Sequence, residues 1–481
     1  MTRARRSARE LPRQADVSWW MEEALADPAF EAEPRPPLRG SATADVVILG
    51  GGYTGMWTAW FLREHEPSLD VVLLEADERC GNGPSGRNGG FCYGMWEDLP
   101  ALVRYLGDED ALRMARAAER SVDELEAWLG EHDVDAWFTR AGFLTVATSP
   151  AQDGAWRELL EEADRLGVAG GRFEELEADA VAARCASPVF GAGYLQPAGA
   201  TLQPARLALG LRRELLRRGV RIFESSPVAR FAAGPPVRVE TPGGEVVAER
   251  GVLGLGAWTA SLPAFHRTIV PRGTSIVLTE PAPERLEAIG WTGGEGIGDL
   301  RTALHYLRTT PDGRIAFGAA AATAGAGTGL GSRLRYDPQT IVKLIDDLRR
   351  FFPSWDGVGF EAAWGGPMDV TALHQPFFGT LPGGALHIGA GYTGGGVGPC
   401  HLGGKILAAL ALGIEDEHTT LPLVQREPRR FPPEPFLSVG AAVVQGAIVR
   451  VDEAQDRGGR PDPLTGFVAS LPRRLGYELG P

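Results

Sequence analysis

Three glycines spaced as Gly50-x-Gly52-x-x-Gly55 follow an apolar run, Asp45 to Leu49, and constrain the fold more than any other feature of the chain. The apolar run is typical of a strand buried on both faces of a parallel sheet. Apolar side chains at helical spacing come after the glycines. A second apolar run, Asp70 to Glu75, completes a β-α-β unit. Glycines at the first turn of such a unit indicate a dinucleotide-binding site.

Each glycine of this motif has a physical role. Gly50 permits the tight turn, Gly52 lets the backbone approach a pyrophosphate, and Gly55 lets the helix pack on the strand. The helix N-terminus attracts the anion. Glu75 ends the second strand, where a carboxylate accepts hydrogen bonds from ribose hydroxyls and disfavours the 2′-phosphate of NADP. The expected cofactor contacts of this turn are Gly50, Gly52, Tyr53, Thr54 and Gly55.

A second glycine-rich loop, Gly81 to Gly90, directly follows the second strand. It combines five glycines with a hydroxyl, an amide and a guanidinium, a composition that suits a phosphate and one face of a flavin. A long surface loop is the alternative interpretation. The candidate cofactor contacts of this loop are Ser85, Arg87, Asn88, Gly89 and Gly90.

A third glycine-rich loop, Gly389 to Gly398, lies between a predicted strand and a predicted helix. A helix N-terminus aimed at the O2/N1 edge of a flavin stabilises the negative charge of the reduced ring. A nicotinamide enzyme has no use for three such loops spread over the chain, whereas a flavoprotein does. The candidate contacts of this loop are Gly391, Tyr392, Thr393, Gly394, Gly395, Gly396 and Val397.

Composition excludes several other functions. The formal charge of −14 offers no electrostatic grip on a phosphate backbone, so we expect no nucleic-acid partner. The four cysteines show neither a metal-ligand spacing nor a disulfide framework, so we expect no metal.

No apolar segment follows the N-terminal arginines as in a signal peptide, and the stretch from Phe436 to Val449 is too short to span a bilayer. We expect a cytoplasmic protein in which that stretch docks on the body.

The motifs together resemble the D-amino-acid oxidase (DAO) superfamily of FAD-dependent amine and amino-acid oxidoreductases, in particular the branch typified by bacterial gamma-glutamylputrescine oxidoreductase. Beside the first turn with Glu75, the resemblance rests on Gly83 to Gly90, on Tyr306-x-Arg308 with the following Pro311 to Arg314, and on Gly389 to Gly404. It spans roughly residues 17–425. It implies FAD as cofactor and oxidation of a C–N bond to an imine, with oxygen reoxidising the flavin to give peroxide.

The resemblance also implies the fold, an α/β (α+β overall) architecture. A Rossmann-like FAD-binding domain is assembled from separated segments, and an antiparallel-sheet substrate domain covers the flavin. We add Val228, Gly256 and Trp258 to the expected cofactor contacts. The expected division is an N-terminal arm at 1–43, the FAD-binding domain at 44–100, 200–262 and 380–424, the substrate domain at 101–199 and 263–379, and a C-terminal tail at 425–481 that packs on the body.

The chain departs from its relatives in ways that bear on the chemistry. Relatives often carry histidine where this chain has Gly395, which leaves oxidase and dehydrogenase as alternatives. Some relatives bind flavin covalently through cysteine, but no cysteine here matches that pattern, so we expect non-covalent FAD. The identity of the amine or amino acid and the oligomeric state cannot be read from the sequence.

Catalytic residues are harder to name, because hydride transfer from an amine needs mainly a positioned substrate. Tyr306 and Arg308 alternate along a predicted strand and would face one side together, as an aromatic wall and a carboxylate clamp. A buried tyrosine with a surface ion pair is the alternative. Two other functions stay open: a nicotinamide-linked dehydrogenase, and a flavin-binding sensor or assembly protein without turnover.

Overall fold

The structure of the protein is a computed structural model that describes residues 11–15, 17–30, 33–324, 330 and 334–478. Residues 1–10, the start of the predicted arm, lie outside the described part. The strands are β1 (Arg13–Gln14), β2 (Gly40–Leu49), β3 (Val71–Leu74), β4 (Phe91–Cys92), β5 (Phe143–Val146), β6 (Glu174–Leu176), β7 (Gly193–Gln196), β8 (Ala200–Thr201), β9 (Arg221–Phe223), β10 (Arg230–Ala232), β11 (Val237–Thr241), β12 (Gly244–Leu253), β13 (Val270–Thr279), β14 (Gly296–Asp299), β15 (His305–Thr309), β16 (Ile315–Ala324), β17 (Phe360–Val370), β18 (Phe377–Thr380) and β19 (Leu386–Ala390).

The helices are α1 (Trp19–Ala26), α2 (Tyr53–His65), α3 (Leu99–Leu106), α4 (Asp108–Glu131), α5 (Arg157–Arg165), α6 (Ala178–Arg184), α7 (Pro204–Arg217), α8 (Pro283–Ala288), α9 (Pro338–Phe351), α10 (Pro399–Leu412), α11 (Phe436–Asp456) and α12 (Pro463–Arg474). In the described part of the chain, no helix is long and apolar enough to cross a membrane.

The first sheet gathers strands from distant parts of the chain. Its order is β10-β11-β12-β2-β3-β9, and β12 also pairs with β19, which pairs with β18. The central strands β9, β3, β2, β12 and β19 run parallel. The carboxyl ends of parallel strands meet at one edge, where ligands bind in open α/β sheets. The turns after β2, β3, β12 and β19 therefore converge.

The second sheet has nine strands in the order β1-β17-β13-β16-β15-β14-β5-β7-β6. Its pairs are antiparallel except β1 with β17 and β5 with β14. The predicted α/β architecture, a parallel-centred sheet combined with an antiparallel one, is confirmed by this topology. The domain boundaries themselves stay a prediction.

Both ends of the described chain pack on the body. In the arm, Ser18 caps α1 by accepting from the Met21 N–H at 3.0 Å, and Trp20 is fully buried edge-on against Trp364. The predicted docking segment is a longer helix than its apolar run, because α11 extends from Phe436 to Asp456. Its side chains and those of α12 line the central cavity described next.

Candidate active site

A cavity of about 1770 Å³ is lined by both sheets and by all three glycine-rich loops. Most of the predicted cofactor contacts line it: Gly50, Gly52, Tyr53, Thr54, Glu75, Ser85, Arg87, Asn88, Gly89, Val228, Gly256, Trp258, Tyr392, Thr393, Gly394, Gly395, Gly396 and Val397. The predicted contacts Gly55, Gly90 and Gly391 are buried and do not line it. The structure thus brings together loops that are more than 300 residues apart in the chain.

The first turn has no room for side chains. Gly50 has a φ of +107°, and a Cβ on it would lie 2.5 Å from the Gly254 carbonyl oxygen. A Cβ on Gly55 would lie only 2.0 Å from the Gly50 carbonyl oxygen. Gly55 therefore serves helix packing rather than ligand contact, as its place in the motif predicts. Bare backbone at Gly50 and Gly52 is left facing the cavity.

Glu75 connects the end of β3 to this turn. Its Oε2 accepts a hydrogen bond from the Gly51 N–H at 2.7 Å, and its Oε1 accepts one from the Asp77 N–H at 2.7 Å. Burial raises the pKa of Glu75 to about 7 in spite of these donors. A half-buried carboxyl on the cavity wall is suited to hydroxyl groups that donate hydrogen bonds to it.

The second loop is held in place from two sides. Ser85 Oγ accepts from the Tyr53 N–H at 2.9 Å and so occupies one N–H of the α2 terminus. From the arm, Ser18 Oγ donates to the Gly86 carbonyl at 2.6 Å, and the Trp20 indole donates to the Asn88 carbonyl at 3.0 Å. The interpretation of this segment as a free surface loop is therefore excluded. No local pattern in the sequence indicates that the arm supports the loop.

The third loop is organised by a carboxylate that sequence reasoning missed. Asp369, buried in β17, accepts a hydrogen bond from the Gly391 N–H at 2.6 Å. Burial raises the pKa of Asp369 to about 6, and backbone N–H groups of Gly391, Tyr392 and Thr393 act in the opposite direction. A lone acidic residue in a strand gives no local signal, because its partners are contributed by a loop 22 residues later.

The described site can be compared with known proteins. The DAO family, described as FAD dependent oxidoreductase, matches residues 45–410. The chain belongs to the DAO family. This match confirms the predicted resemblance. It also confirms that the cofactor is FAD and that the protein is an oxidoreductase.

Individual relatives of this DAO-family chain agree with the match. Gamma-glutamylputrescine oxidoreductase of Escherichia coli K12 is 29% identical over 416 residues, covering 85% of this chain and 94% of the relative. A Rhizobium meliloti protein named "Probable oxidoreductase OrdL" is 30% identical over 415 residues, covering 85% and 91%. Glycine oxidase from Geobacillus kaustophilus has a similar fold, with a TM-score of 0.67 and 19% identity over 80% of this chain and 99% of that one.

The residues of the cavity fit FAD. The bare backbone at Gly50 and Gly52 suits a pyrophosphate, and the Glu75 carboxyl suits ribose hydroxyls. The third loop precedes the N-terminus of α10 and lines the same cavity as the antiparallel sheet. We propose that these residues hold the cofactor.

The structure places only one of the two predicted catalytic residues on the cavity wall. Tyr306 lines the cavity beside Phe91, with ring centroids 5.6 Å apart, and its hydroxyl hydrogen-bonds Thr274 Oγ1. Arg308 does not line it, since its guanidinium is buried against the Leu202 carbonyl and the Trp20 ring. The alternation of side chains along a strand correctly puts both residues on one face of β15, but the N-terminal arm covers Arg308 on that face. Burial lowers the pKa of Arg308 to about 9.

Another arginine takes the position expected of a carboxylate clamp. Arg272 lies two residues before Thr274 on β13 and lines the cavity. Its Nη1 donates to Gln445 Oε1 of α11 at 2.7 Å, and burial lowers its pKa. Within the described residues it forms no ion pair with a carboxylate. The sequence signal that could have identified Arg272 is its alternation with Thr274 along a strand. The sequence analysis did not use this signal.

The FAD-free protein should become less stable as pH rises from about 5 to 7. Because burial raises the pKa of Glu75 from its ordinary 4.5 to about 7, the folded state keeps a proton that the unfolded chain releases in this window. Glu75→Gln should make the loss of stability between pH 5 and pH 8 smaller. Denaturant unfolding of both proteins at the two pH values measures this, and equal losses would contradict the prediction.

Proposed function

We propose that the protein oxidises the C–N bond of an amine or amino acid to an imine, with oxygen as electron acceptor and peroxide as product. The observation that carries the proposal is the single cavity that the glycine-rich loops share with Tyr306 and Arg272. The residues that we propose for the cofactor and those that we propose for the substrate thus line one cavity. The relatives named above, an oxidoreductase of gamma-glutamylputrescine and a glycine oxidase, support amines and amino acids as the substrate class.

In the reaction that we propose, this chain mainly binds and orients the substrate. Bound FAD supplies the acceptor for the hydride that leaves the carbon beside the nitrogen. The Tyr306 hydroxyl, fixed by Thr274, orients a polar group of the substrate against the cofactor wall. Arg272 binds a substrate carboxylate where there is one. Helix α11 covers this part of the cavity and keeps out bulk water.

The proposal is tested by anaerobic titration of the purified yellow protein with a panel of amines and amino acids. We expect loss of the flavin absorption band near ~450 nm with at least one substrate, and its return with peroxide when oxygen is admitted. A flavin that no amine or amino acid bleaches would overturn the proposal. Bleaching that oxygen does not reverse would show a dehydrogenase instead of an oxidase.

Arg272→Met should raise KM for amino-acid substrates about 30-fold, the equivalent of about 2 kcal/mol for one lost partner of a buried charge pair. Amines without a carboxylate should change little, because nothing then pairs with Arg272. Steady-state kinetics on one substrate of each type measures the difference, with Arg238→Met, an exposed arginine, as control. Equal losses for both substrate types would contradict a carboxylate-binding role.

FAD should leave the protein on acid or heat precipitation, because the attachment that we propose is non-covalent. Cys400 lines the cavity, but burial raises the pKa of its thiol to about 12, so it stays protonated and a poor nucleophile near neutral pH. The other cysteines are also buried and unpaired. Yellow colour in the supernatant, with an equal yield from Cys400→Ala, is the expected result. Colour that stays in the precipitate would contradict it.

A further inference from the structure

Two adjacent carboxylates, Glu97 and Asp98, face the cavity, and neither the sequence motifs nor the proposed chemistry uses them. Asp98 is the N-cap residue of α3, a position where aspartate usually accepts a hydrogen bond from the first turn. Here its side chain makes no such hydrogen bond. The carboxylate is turned toward the cavity instead of stabilising its own helix.

No cation of the described chain neutralises this pair. The groups that act on Glu97 are Asp98 and the Tyr93 hydroxyl, and those that act on Asp98 are Glu478 and the Gln375 amide. Burial first, and then the neighbouring carboxylates, raise the pKa of Glu97 to about 8 and that of Asp98 to about 7. Carboxyl groups in such surroundings are normally paired, so this wall offers a cation two carboxyl groups without a basic partner in the described chain, and a bound cation would favour their charged form.

The surroundings of the pair are aromatic and polar. Tyr93 stacks on Phe143 with ring centroids 5.4 Å apart and planes at 28°. Tyr194 is 5% exposed and lines the same wall. Thr145, 6% exposed and beside the Tyr194 hydroxyl, has an Oγ1 without a hydrogen-bond partner in the described part of the chain. Aromatic rings combined with carboxylates form the environment that recognises an alkylammonium group.

The Tyr93 hydroxyl connects this wall to the third loop. It lies 3.8 Å from where a Cβ would stand on Gly395 in that loop. The same hydroxyl acts on Glu97 and lowers its pKa. The carboxylates and the third loop therefore border the same part of the cavity, where one alkyl chain can extend from one to the other.

We propose that Glu97 and Asp98 bind a second, cationic amino group of the substrate. The substrates are then alkyl chains that carry two amino groups, one oxidised at the cofactor and one held by the carboxylates. Amino acids with a basic side chain belong to this class and also satisfy Arg272. The inference rests on the proposed function for the reacting amine, but the binding subsite itself can be tested without turnover.

Calorimetry of the FAD-loaded protein, with the flavin reduced by dithionite beforehand under anaerobic conditions so that neither probe is oxidised, tests the subsite with 1,4-diaminobutane and n-butylamine. The two molecules differ only in the second amino group. We expect 1,4-diaminobutane to bind about 30-fold more tightly, as for one buried charge pair. Equal affinities would overturn the subsite. If 1,4-diaminobutane binds more tightly but no amine or amino acid bleaches the flavin, the subsite stands and the proposed function fails.

The double variant Glu97→Gln/Asp98→Asn adds a second test. It should bind 1,4-diaminobutane no better than n-butylamine and leave the affinity for n-butylamine unchanged. It should fold, because amides of nearly the same size replace two carboxyl groups that form no ion pair in the described chain. Glu161→Gln, which removes an exposed carboxylate on α5, should keep the wild-type preference. A double variant that retains the preference, or that loses both probes equally, would overturn the proposal.

Discussion

Gly55→Ala should yield a nearly colourless protein. The added Cβ would lie 2.0 Å from the Gly50 carbonyl oxygen, so the N-terminal turn of α2 must move away from β2. Overpacking of this kind costs about 3 kcal/mol. If this free energy is lost from FAD binding, the affinity for FAD falls by more than about 100-fold. The flavin-to-protein absorbance ratio after purification, followed by titration with FAD, measures the effect.

The matched control for this variant is Gly83→Ala in the second loop. Gly83 also lines the cavity, but a Cβ on it would meet no atom within 4 Å and its φ is not positive. It should therefore retain FAD at close to the wild-type ratio. A yellow Gly55→Ala protein with wild-type FAD affinity would show that the turn does not need the close helix approach.

Arg212→Met should lower the free energy of unfolding by about 3–5 kcal/mol, the cost of leaving one charge of a buried ion pair alone. Arg212 and Glu224 are 1% and 0% exposed and form two hydrogen bonds of 2.8 and 3.0 Å. Glu224 Oε1 also accepts from the Cys80 N–H at 2.8 Å. The second loop begins at the next residue, so we expect FAD binding to weaken as well.

Denaturant unfolding of the FAD-free proteins measures this loss without the stabilisation that bound cofactor adds. Arg230→Ala is the matched control, because Arg230 and Glu240 form an ion pair with side chains that are 76% and 48% exposed. Removing an exposed pair should cost less than about 1 kcal/mol. Similar losses of unfolding free energy in the two variants would mean that burial of the Arg212–Glu224 ion pair adds nothing to its contribution to stability.

The local parts of the fold could be predicted from the sequence because their signals are local. The strand before Gly50, the helix after Gly52 and the strand before Glu75 follow from apolar spacing and turn residues. The helix predicted after the third loop is α10, and it begins at Pro399, directly after Gly398, because proline is favoured in a first helical turn. The convergence of the three glycine-rich loops in one cavity was predicted because a flavoprotein, unlike a nicotinamide enzyme, has a use for three such loops.

Positions that depend on distant segments could not be predicted. The spacing of Tyr306 and Arg308 correctly gives their common face, but only the tertiary structure shows that Trp20, nearly 290 residues earlier, lies over Arg308. The same limit applies to Arg272, which meets Gln445 across 173 residues. Asp369, Glu97 and Asp98 were missed because a single acidic residue in a strand or beside a helix looks like an ordinary polar position.

The late place of β19 in the chain has a consequence for biosynthesis. β19 joins β12 at the centre of the first sheet, and the loop after it supplies one wall of the cavity. A nascent polypeptide still missing these residues has the first glycine turn but lacks that wall. FAD capture therefore requires translation past the third loop, and products that end before this loop should leave the ribosome without their flavin.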